Sequence, residues 1–332
     1  MNERYLPCFI GVDLGGTNIH AGIVNKNHEV LCRRFVPTLV NEGRDRIIER
    51  IVAVIQELQG QSPHGSIQGI GIGAAGIIDI ERGIIVTSPN FQGWHDVPLR
   101  DIISRRFNIP TILDNDANAA VFGEHWAGAG QGCSSMIGLT LGTGVGGGII
   151  LDGRLWHGSE GMAGEIGHMT IVPDGLQCPC GNRGCLEAYV SATGIVRRTI
   201  ERLDDRTAPG LFEAAGINEP GELTAALVHR AALGGNDMAR DILRQTGVYL
   251  GIGIGSLINM LNPELFIIGG GASNAWDFFY PSMVEEAKRR SLPGLAERVA
   301  IVRARLGDDA GMIGACGLAA YSFGFCPADE SP

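Results

Sequence analysis

The sequence has no run of lysine or arginine longer than three residues, and its 26 basic residues are outnumbered by 36 acidic ones, for a formal net charge of −10. That balance argues against non-specific nucleic-acid binding, which depends on a basic face. An anionic ligand has to be held locally, by backbone amides and a metal, because the global field opposes it. Long hydrophobic runs are missing too. The longest apolar stretch, Gly247–Leu261, has 15 residues and is rich in glycine, too short to span a bilayer. It reads as a buried helix stopped by Asn262-Pro263. Met1–Pro7 lacks an apolar core of signal-peptide length, so a cytoplasmic location with no membrane partner is the expectation. Eight cysteines in 332 residues do not make a disulfide scaffold.

Glycine is abundant instead, with 50 residues against an average share of roughly 7%. The glycines do not recur every third residue, which excludes collagen. They cluster after apolar stretches, where backbone turns sharply or approaches a ligand closely. Hydrophobic residues at 45% and charged ones at 19% are ordinary for a globular protein. The length suits about two domains, each burying its own core.

The order of these signals is informative. Phe9–Leu14 reads as a buried strand, Gly15-Gly16-Thr17 as a turn, Ile19–Val24 as a return strand and Val30–Val36 as a third. An amphipathic helix follows, with Ile47, Ile51, Ile55 and Leu58 on one face, and then a buried strand at Ile67–Ala74. The same script recurs later: Met136–Leu141 is apolar, Gly142-Thr143-Gly144 turns, Val145–Leu151 runs back, and Asp152-Gly153 turns into Arg154–Trp156. Aligning Leu14-Gly15-Gly16-Thr17 on Leu141-Gly142-Thr143-Gly144 keeps both turns and both return strands in phase. Two unrelated glycine hairpins are the plainer explanation. Duplication is preferred, because each copy ends a buried strand and opens a hairpin.

Two α/β halves of this kind resemble the duplicated actin-like ATPase fold of sugar kinases (ribonuclease H-like). That architecture implies two lobes around a cleft, with the hairpins holding nucleotide phosphates. A third glycine turn in Phe266–Ala272, with Gly269 and Gly270, is then expected beneath the adenine and ribose. Residues 1–120 are read as a small lobe and residues 121–307 as a larger one. A final helix at Ala310–Tyr321, with Gly311, Gly314 and Gly317 for close packing, is expected to complete the small lobe within about 308–332. Leu203–Pro220 reads as a polar connector between helices.

Four constellations carry chemistry. In Asp13-x-Gly15-Gly16-Thr17-Asn18, glycines free the backbone N–H groups to form an anion nest, Thr17 adds a hydroxyl, and Asp13 can hold Mg²⁺ through water. An incidental hairpin aspartate is the bland alternative; pairing with Gly142, Thr143 and Gly144 favours a phosphate clamp. Asp114-Asn115-Asp116 follows an apolar strand and precedes a helix, where the dipole favours an ionised carboxylate. An N-cap explains one polar residue there, not three, and Asp116 is preferred to Asp114 as a general base for a sugar hydroxyl. Glu165-x-Gly167-His168 offers an acceptor and a donor for adjacent sugar hydroxyls, although an isolated Glu and His are more often a solvated face. Cys178-x-Cys180-Gly181-x-x-Gly184-Cys185 crowds three thiols, with His168 ten residues upstream; a Cys₃His site closed around structural Zn²⁺ is the natural reading, against free thiols.

Together these motifs resemble the ROK family of bacterial sugar kinases and repressors over nearly the whole chain. The resemblance implies that Asp116 is the base, that Gly76, Asn115, Glu165, His168 and Glu187 bind the sugar, and that His168, Cys178, Cys180 and Cys185 ligate zinc. Many members have Pro-Gly where this chain has Ala75-Gly76, which is a departure in that loop. The stretch Glu165–Glu187 looks most like members that are glucokinases, which implies glucose and ATP as substrates. N-acetylmannosamine, fructose, mannose and allose are the alternative sugars. A sensor without activity is disfavoured by the intact Asp13, Asp116 and glycine turns. An actin-like chaperone leaves Glu165, His168 and the cysteines unexplained. Family repressors carry an added N-terminal winged helix, and with Asp13 this early in the sequence a repressor is not the expectation. A homodimer or larger homo-oligomer is the general expectation for a soluble enzyme.

Overall fold

In the computed structural model, residues 6–62, 67–204 and 206–325 are described. Most of the N-terminal stretch examined for a leader, one position of the polar connector and the end of the 308–332 segment lie outside the described residues. The strand Cys8–Leu14 (β1) is buried on both faces, and its alternation separates two environments. Ile10, Val12 and Leu14 point into one hydrophobic cluster. Phe9 points into another, on the opposite face.

β1 is followed by Asn18–Asn25 (β2) and Val30–Pro37 (β3), paired as an antiparallel meander. The helix Arg44–Gln61 (α1) then buries Ile47, Ile51, Val54, Ile55 and Leu58, the face legible from its spacing. Ile67–Ala74 (β4) runs parallel to β1. A small antiparallel sheet comes next, made of Ile77–Asp79 (β5), Ile84–Thr87 (β6) and His95–Val97 (β7). Leu99–Phe107 (α2) leads to Thr111–Asn115 (β8), parallel to β4, and directly into Asp116–Ala127 (α3).

The later half repeats the plan. Met136–Leu141 (β9), Val145–Leu151 (β10) and Arg154–Leu155 (β11) form the meander. Helices Glu187–Val190 (α4), Ala192–Glu201 (α5), Ala208–Ala215 (α6), Ala225–Leu233 (α7) and Asp237–Leu261 (α8) follow. Then come Leu265–Gly269 (β12), Trp276–Arg290 (α9) and Ala300–Arg303 (β13), and the helix Ala310–Ser322 (α10) is last. The strand orders are β3-β2-β1-β4-β8 and β11-β10-β9-β12-β13. Position by position they correspond, with a meander on one side and two parallel strands on the other. Chance hairpins would not reproduce five strand positions. The duplication is real.

Two departures have simple causes. The connector around 203–220 contains α6, closed by Gly216 at φ 67°, where a left-handed residue ends the helix. The apolar run read as a helix from Gly247 is only the second part of α8, which starts at Asp237 with the Asn236 side chain accepting from the Ala239 N–H. The first part is amphipathic, burying Ala239, Ile242, Leu243 and Thr246 between polar residues, so it carries no continuous apolar run.

By contacts the chain forms two units, one running to Ser134 with Gly148–Gly164 and everything from Arg305, the other comprising Ser135–Gly147 and Glu165–Ala304. In the first unit α10 packs on α3, β1 and β4. Gly71 of β4 makes that possible: a β-carbon there would strike the Ala315 backbone. Among the described residues, no helix is long and apolar enough to cross a membrane.

Candidate active site and metal centre

In the first unit, β1 delivers Asp13 to the edge of the Gly15–Thr17 turn. The Asp13 carboxylate is partly buried, and burial pushes its pKa up to about 7, with the negative charge of Asp116 adding to the rise. A β-carbon at Gly311, in the first turn of α10, would lie 2.5 Å from Asp13 Oδ2, so glycine there is what admits the carboxylate. The turn itself is closed by Gly15 N–H donating to Asn18 O at 3.0 Å. Thr38, fully buried, braces it from behind: its hydroxyl donates to Gly15 O at 2.7 Å and its N–H to Thr17 O at 2.8 Å. Sequence reading gave no signal for Thr38, since a single threonine past a strand end is unremarkable.

Asn115 ends β8 and caps α3, its Oδ1 accepting from the Ala117 and Asn118 N–H groups. Its Nδ2 donates to Gly76 O at 3.2 Å. Gly76 has φ 137°, and a β-carbon there would sit 2.5 Å from Thr87 O, so the position admits only glycine. Asp116, half-buried, is the first residue of α3, where the helix N-terminus favours the ionised form. Its neighbour Asp114 is fully buried and engaged, accepting from Asn115 N at 2.7 Å, Asn118 Nδ2 at 3.0 Å and the His157 ring at 2.8 Å. Asp114 therefore serves as the buried tie of the β8–α3 corner. His157 was not singled out from sequence, because its partner lies 43 positions away.

In the second unit, the Gly142–Gly144 turn is closed by Gly142 N–H donating to Gly144 O at 3.0 Å. Neither this turn nor Gly15-Gly16 uses a left-handed residue. The glycines supply room, not the alternating conformation of an anion nest. At Gly144 the room is taken by Glu187, the first residue of α4: a β-carbon would meet its Oε2 at 2.5 Å, and that oxygen accepts from Val145 N–H at 2.9 Å. The other oxygen faces Cys178 Sγ at 3.7 Å. Glu187 thus bridges the second glycine turn and the cysteine loop, a link invisible in the sequence.

The side chains of His168, Cys178, Cys180 and Cys185 converge, their ligand atoms all within 4.8 Å of one another. A tetrahedral zinc site with Zn–S of ~2.3 Å places its sulfurs ~3.8 Å apart. Cys180 and Cys185 Sγ are 3.7 Å apart, and His168 Nδ1 is 3.7 Å from Cys178 Sγ. The donor set fits that ion. Burial raises the Cys178 thiol to about 12 and also raises Cys185, so a cation held there would have to displace their protons. The other ring nitrogen of His168 looks towards Glu165, 3.8 Å from its Oε2, and both side chains are substantially exposed. Gly270, at φ 82°, packs against the end of β9, where a β-carbon would meet Leu141 N at 2.5 Å, while Gly269 ends β12 beside Ala304.

The structure thus places Asp13, Gly15, Gly16, Thr17, Asn18, Gly76, Asn115 and Asp116 in the first unit. Gly142, Thr143, Gly144, Glu165, His168, Glu187, Gly269, Gly270 and the three cysteines fall in the second. Comparison with known proteins gives this arrangement a lineage. The chain is 40% identical to a glucokinase of Halalkalibacterium halodurans, over 95% of this chain and 94% of the relative. It is 34% identical to a xylose repressor of Caldicellulosiruptor bescii over 92% of this chain, which spans 76% of that protein. A solved ROK family glucokinase from Streptomyces griseus, in complex with glucose and AMPPNP, superposes with a TM-score of 0.81 at 34% identity, covering 95% of this chain and 99% of the other. The fold is accordingly the duplicated α/β fold of actin-like ATPases. With the ROK family model matching residues 9–321, nearly the whole described chain, this protein belongs to the ROK family.

Proposed function

We propose that the protein is an ATP-dependent hexokinase that converts glucose to glucose 6-phosphate. The observation that carries this reading is the pair of carboxylates Asp13 and Asp116, electrostatically coupled beside a braced glycine turn. One suits a cation and the other a proton. Asp116 at the head of α3 accepts the proton of the attacking sugar hydroxyl, at a helix N-terminus whose dipole favours a carboxylate. Asp13, whose pKa is raised by burial and by the charge of Asp116, would hold Mg²⁺, which would neutralise charge on the nucleotide phosphates. Gly15, Gly16, Thr17 and Asn18, with Gly142, Thr143 and Gly144, present backbone N–H groups to ATP, and Gly269 and Gly270 border its nucleoside.

The sugar is bound by Asn115, Glu165, His168 and Glu187, with Gly76 supplying close backbone approach. Zn²⁺ on His168, Cys178, Cys180 and Cys185 would be structural, with all four positions filled by protein. A metal on His168 Nδ1 leaves Nε2 as an N–H donor for a hydroxyl, which supports the sugar role of that residue. Substrates of this kind place the activity in the cytoplasm. Assembly as a homodimer or larger homo-oligomer completes the reading.

The similarity to glucokinases supports glucose over other hexoses. The matched xylose repressor keeps a sugar-sensing reading in view. One experiment separates them: ATP-dependent phosphorylation across glucose, mannose, fructose, allose and N-acetylmannosamine, followed by a coupled assay. Glucose should give the highest kcat/KM. Preference for another sugar reassigns the substrate, and no phosphorylation of any leaves only the sensor.

A further inference from the structure

Asp116 begins α3 at a point that the sheet restrains from one side only. β8 is the last strand in the order β3-β2-β1-β4-β8, and its pairing with β4 ends at Ala74 opposite Asn115, one residue before Asp116. The end of an edge strand lacks the second row of ladder bonds that fixes a central strand. Close packing on β4 supplies one restraint: a β-carbon at Gly73 would lie 2.8 Å from the Ala119 side chain and 3.5 Å from Asp116 Cα. Asp114, 1% exposed, supplies the other, and both of its oxygens are engaged. Oδ1 accepts from Asn115 N–H and from Asn118 Nδ2, gripping the strand end and the first turn of α3 together. Oδ2 accepts from His157 Nε2 at 2.8 Å. His157 follows β11 and is itself anchored, its carbonyl accepting from Ala163 N–H at 3.0 Å. Gly161 seats that loop on β5, where a β-carbon would come within 3.2 Å of Ile78 O.

A hydrogen bond onto a carboxylate is strong and directional. Deprived of the imidazole, a buried Asp114 oxygen is left unsatisfied, and the carboxylate gains by turning that oxygen towards donors it already touches, on Asn115 and Asn118. Asp116 stands between those two residues, so a shift there moves it as well. Displacing a reacting group by about 1 Å costs on the order of 10²-fold in rate. The plainer role for His157 is stability, pinning the 157–163 loop and nothing more. Positioning is favoured because the bond ends on the one carboxylate whose other oxygen holds the helix turn that Asp116 opens.

We propose that His157 is a positioning residue for phosphoryl transfer, holding Asp114 so that the β8–α3 corner presents Asp116 to the sugar hydroxyl. This rests on the kinase reading above, with Asp116 as the base. Wild type, His157→Phe and His157→Gln are compared, each alone and combined with Asp116→Asn, by steady-state kinetics with glucose and ATP and by thermal melting. Phenylalanine keeps a ring without a donor, whereas the glutamine amide brings an N–H close to the place of Nε2. His157→Phe should lower kcat by about 10–100-fold with KM for ATP within about twofold of wild type, and His157→Gln should recover most of that loss. In the Asp116→Asn background His157→Phe should change kcat by less than about twofold, because no base is left to place. An equal penalty in both backgrounds overturns the proposal. So does a lower melting temperature with kcat per folded molecule unchanged, which assigns stability alone, or a rise confined to KM for glucose, which assigns sugar binding. A wild type that phosphorylates no sugar overturns the kinase reading and this role with it; an active wild type matched by His157→Phe overturns this role alone. Should His157→Phe fail to fold, His157→Ala with added imidazole takes its place, since the side chain is 29% exposed and the free base can enter. A saturable rise in kcat is then expected, and no rise overturns the proposal.

Discussion

Asp114 and Asp116 are two positions apart, yet the corner between β8 and α3 gives them opposite fates. Asp114 is sealed in by three hydrogen-bond donors, while Asp116 begins the helix half-exposed. Replacing Asp116 by Asn keeps its size and helix position but removes the proton acceptor. Turnover should fall by about 10²–10⁴-fold with an unchanged melting temperature. Near-normal turnover in that variant would reassign the base. At this scale the sequence was largely readable, because three polar residues at the end of an apolar strand have few structural uses. What it withheld were partners from elsewhere in the chain, His157 for Asp114 and Thr38 for the Gly15 turn, since pairing across tens of residues has no local signature.

At the scale of elements, the cysteine loop is a small structure that lacks an apolar core of its own, held by isolated bridges between Thr170 and Cys185 and between Gln177 and Arg183. A metal bound there would therefore contribute directly to its folding. Cys180 is exposed, so Cys180→Ser leaves packing intact while removing one ligand. Metal analysis should find well under one zinc per chain, and the melting temperature should drop by at least about 5 °C. A full equivalent of zinc in that variant refutes the ligand set. On the neighbouring helix pair, Glu286 of α9 is nearly buried where α8 presents Gly251, and bonds to Arg289 and Arg290 hold its pKa below the usual carboxylate range. A depressed folded pKa means the unfolded state takes up protons first as pH falls. The stabilisation is complete above the unfolded value of about 4.3 and is lost as pH drops through the lower, folded value. Urea midpoints for wild type and Glu286→Gln should differ at pH 7 and converge at acid pH; a constant gap would contradict this. The cysteine spacing foretold the convergence of three thiols and an imidazole, because four donors suited to one ion leave little freedom. The α9 ion pairs, i to i+3 and i+4, were open to the same reading, but only packing on α8 makes Glu286 buried.

At the scale of the whole molecule, net charge and family history pull in different directions. Some ROK relatives are repressors, whereas this chain carries −10. Electrophoretic shift assays with duplex DNA at physiological salt should show no retention, with or without glucose, and sugar-dependent retention would revive the regulatory reading. The sequence by itself determined the duplicated plan, the two glycine turns and the cluster of thiols and imidazole, because strand–turn–strand rhythm and ligand spacing are local properties that survive in one dimension. Tertiary structure alone decided that Gly148–Gly164 joins the first unit, that Glu187 ties a glycine turn to the cysteine loop, and that Arg198 is buried. Those facts depend on which surfaces the fold presses together, and burial is a property of the packed chain, not of any window along it.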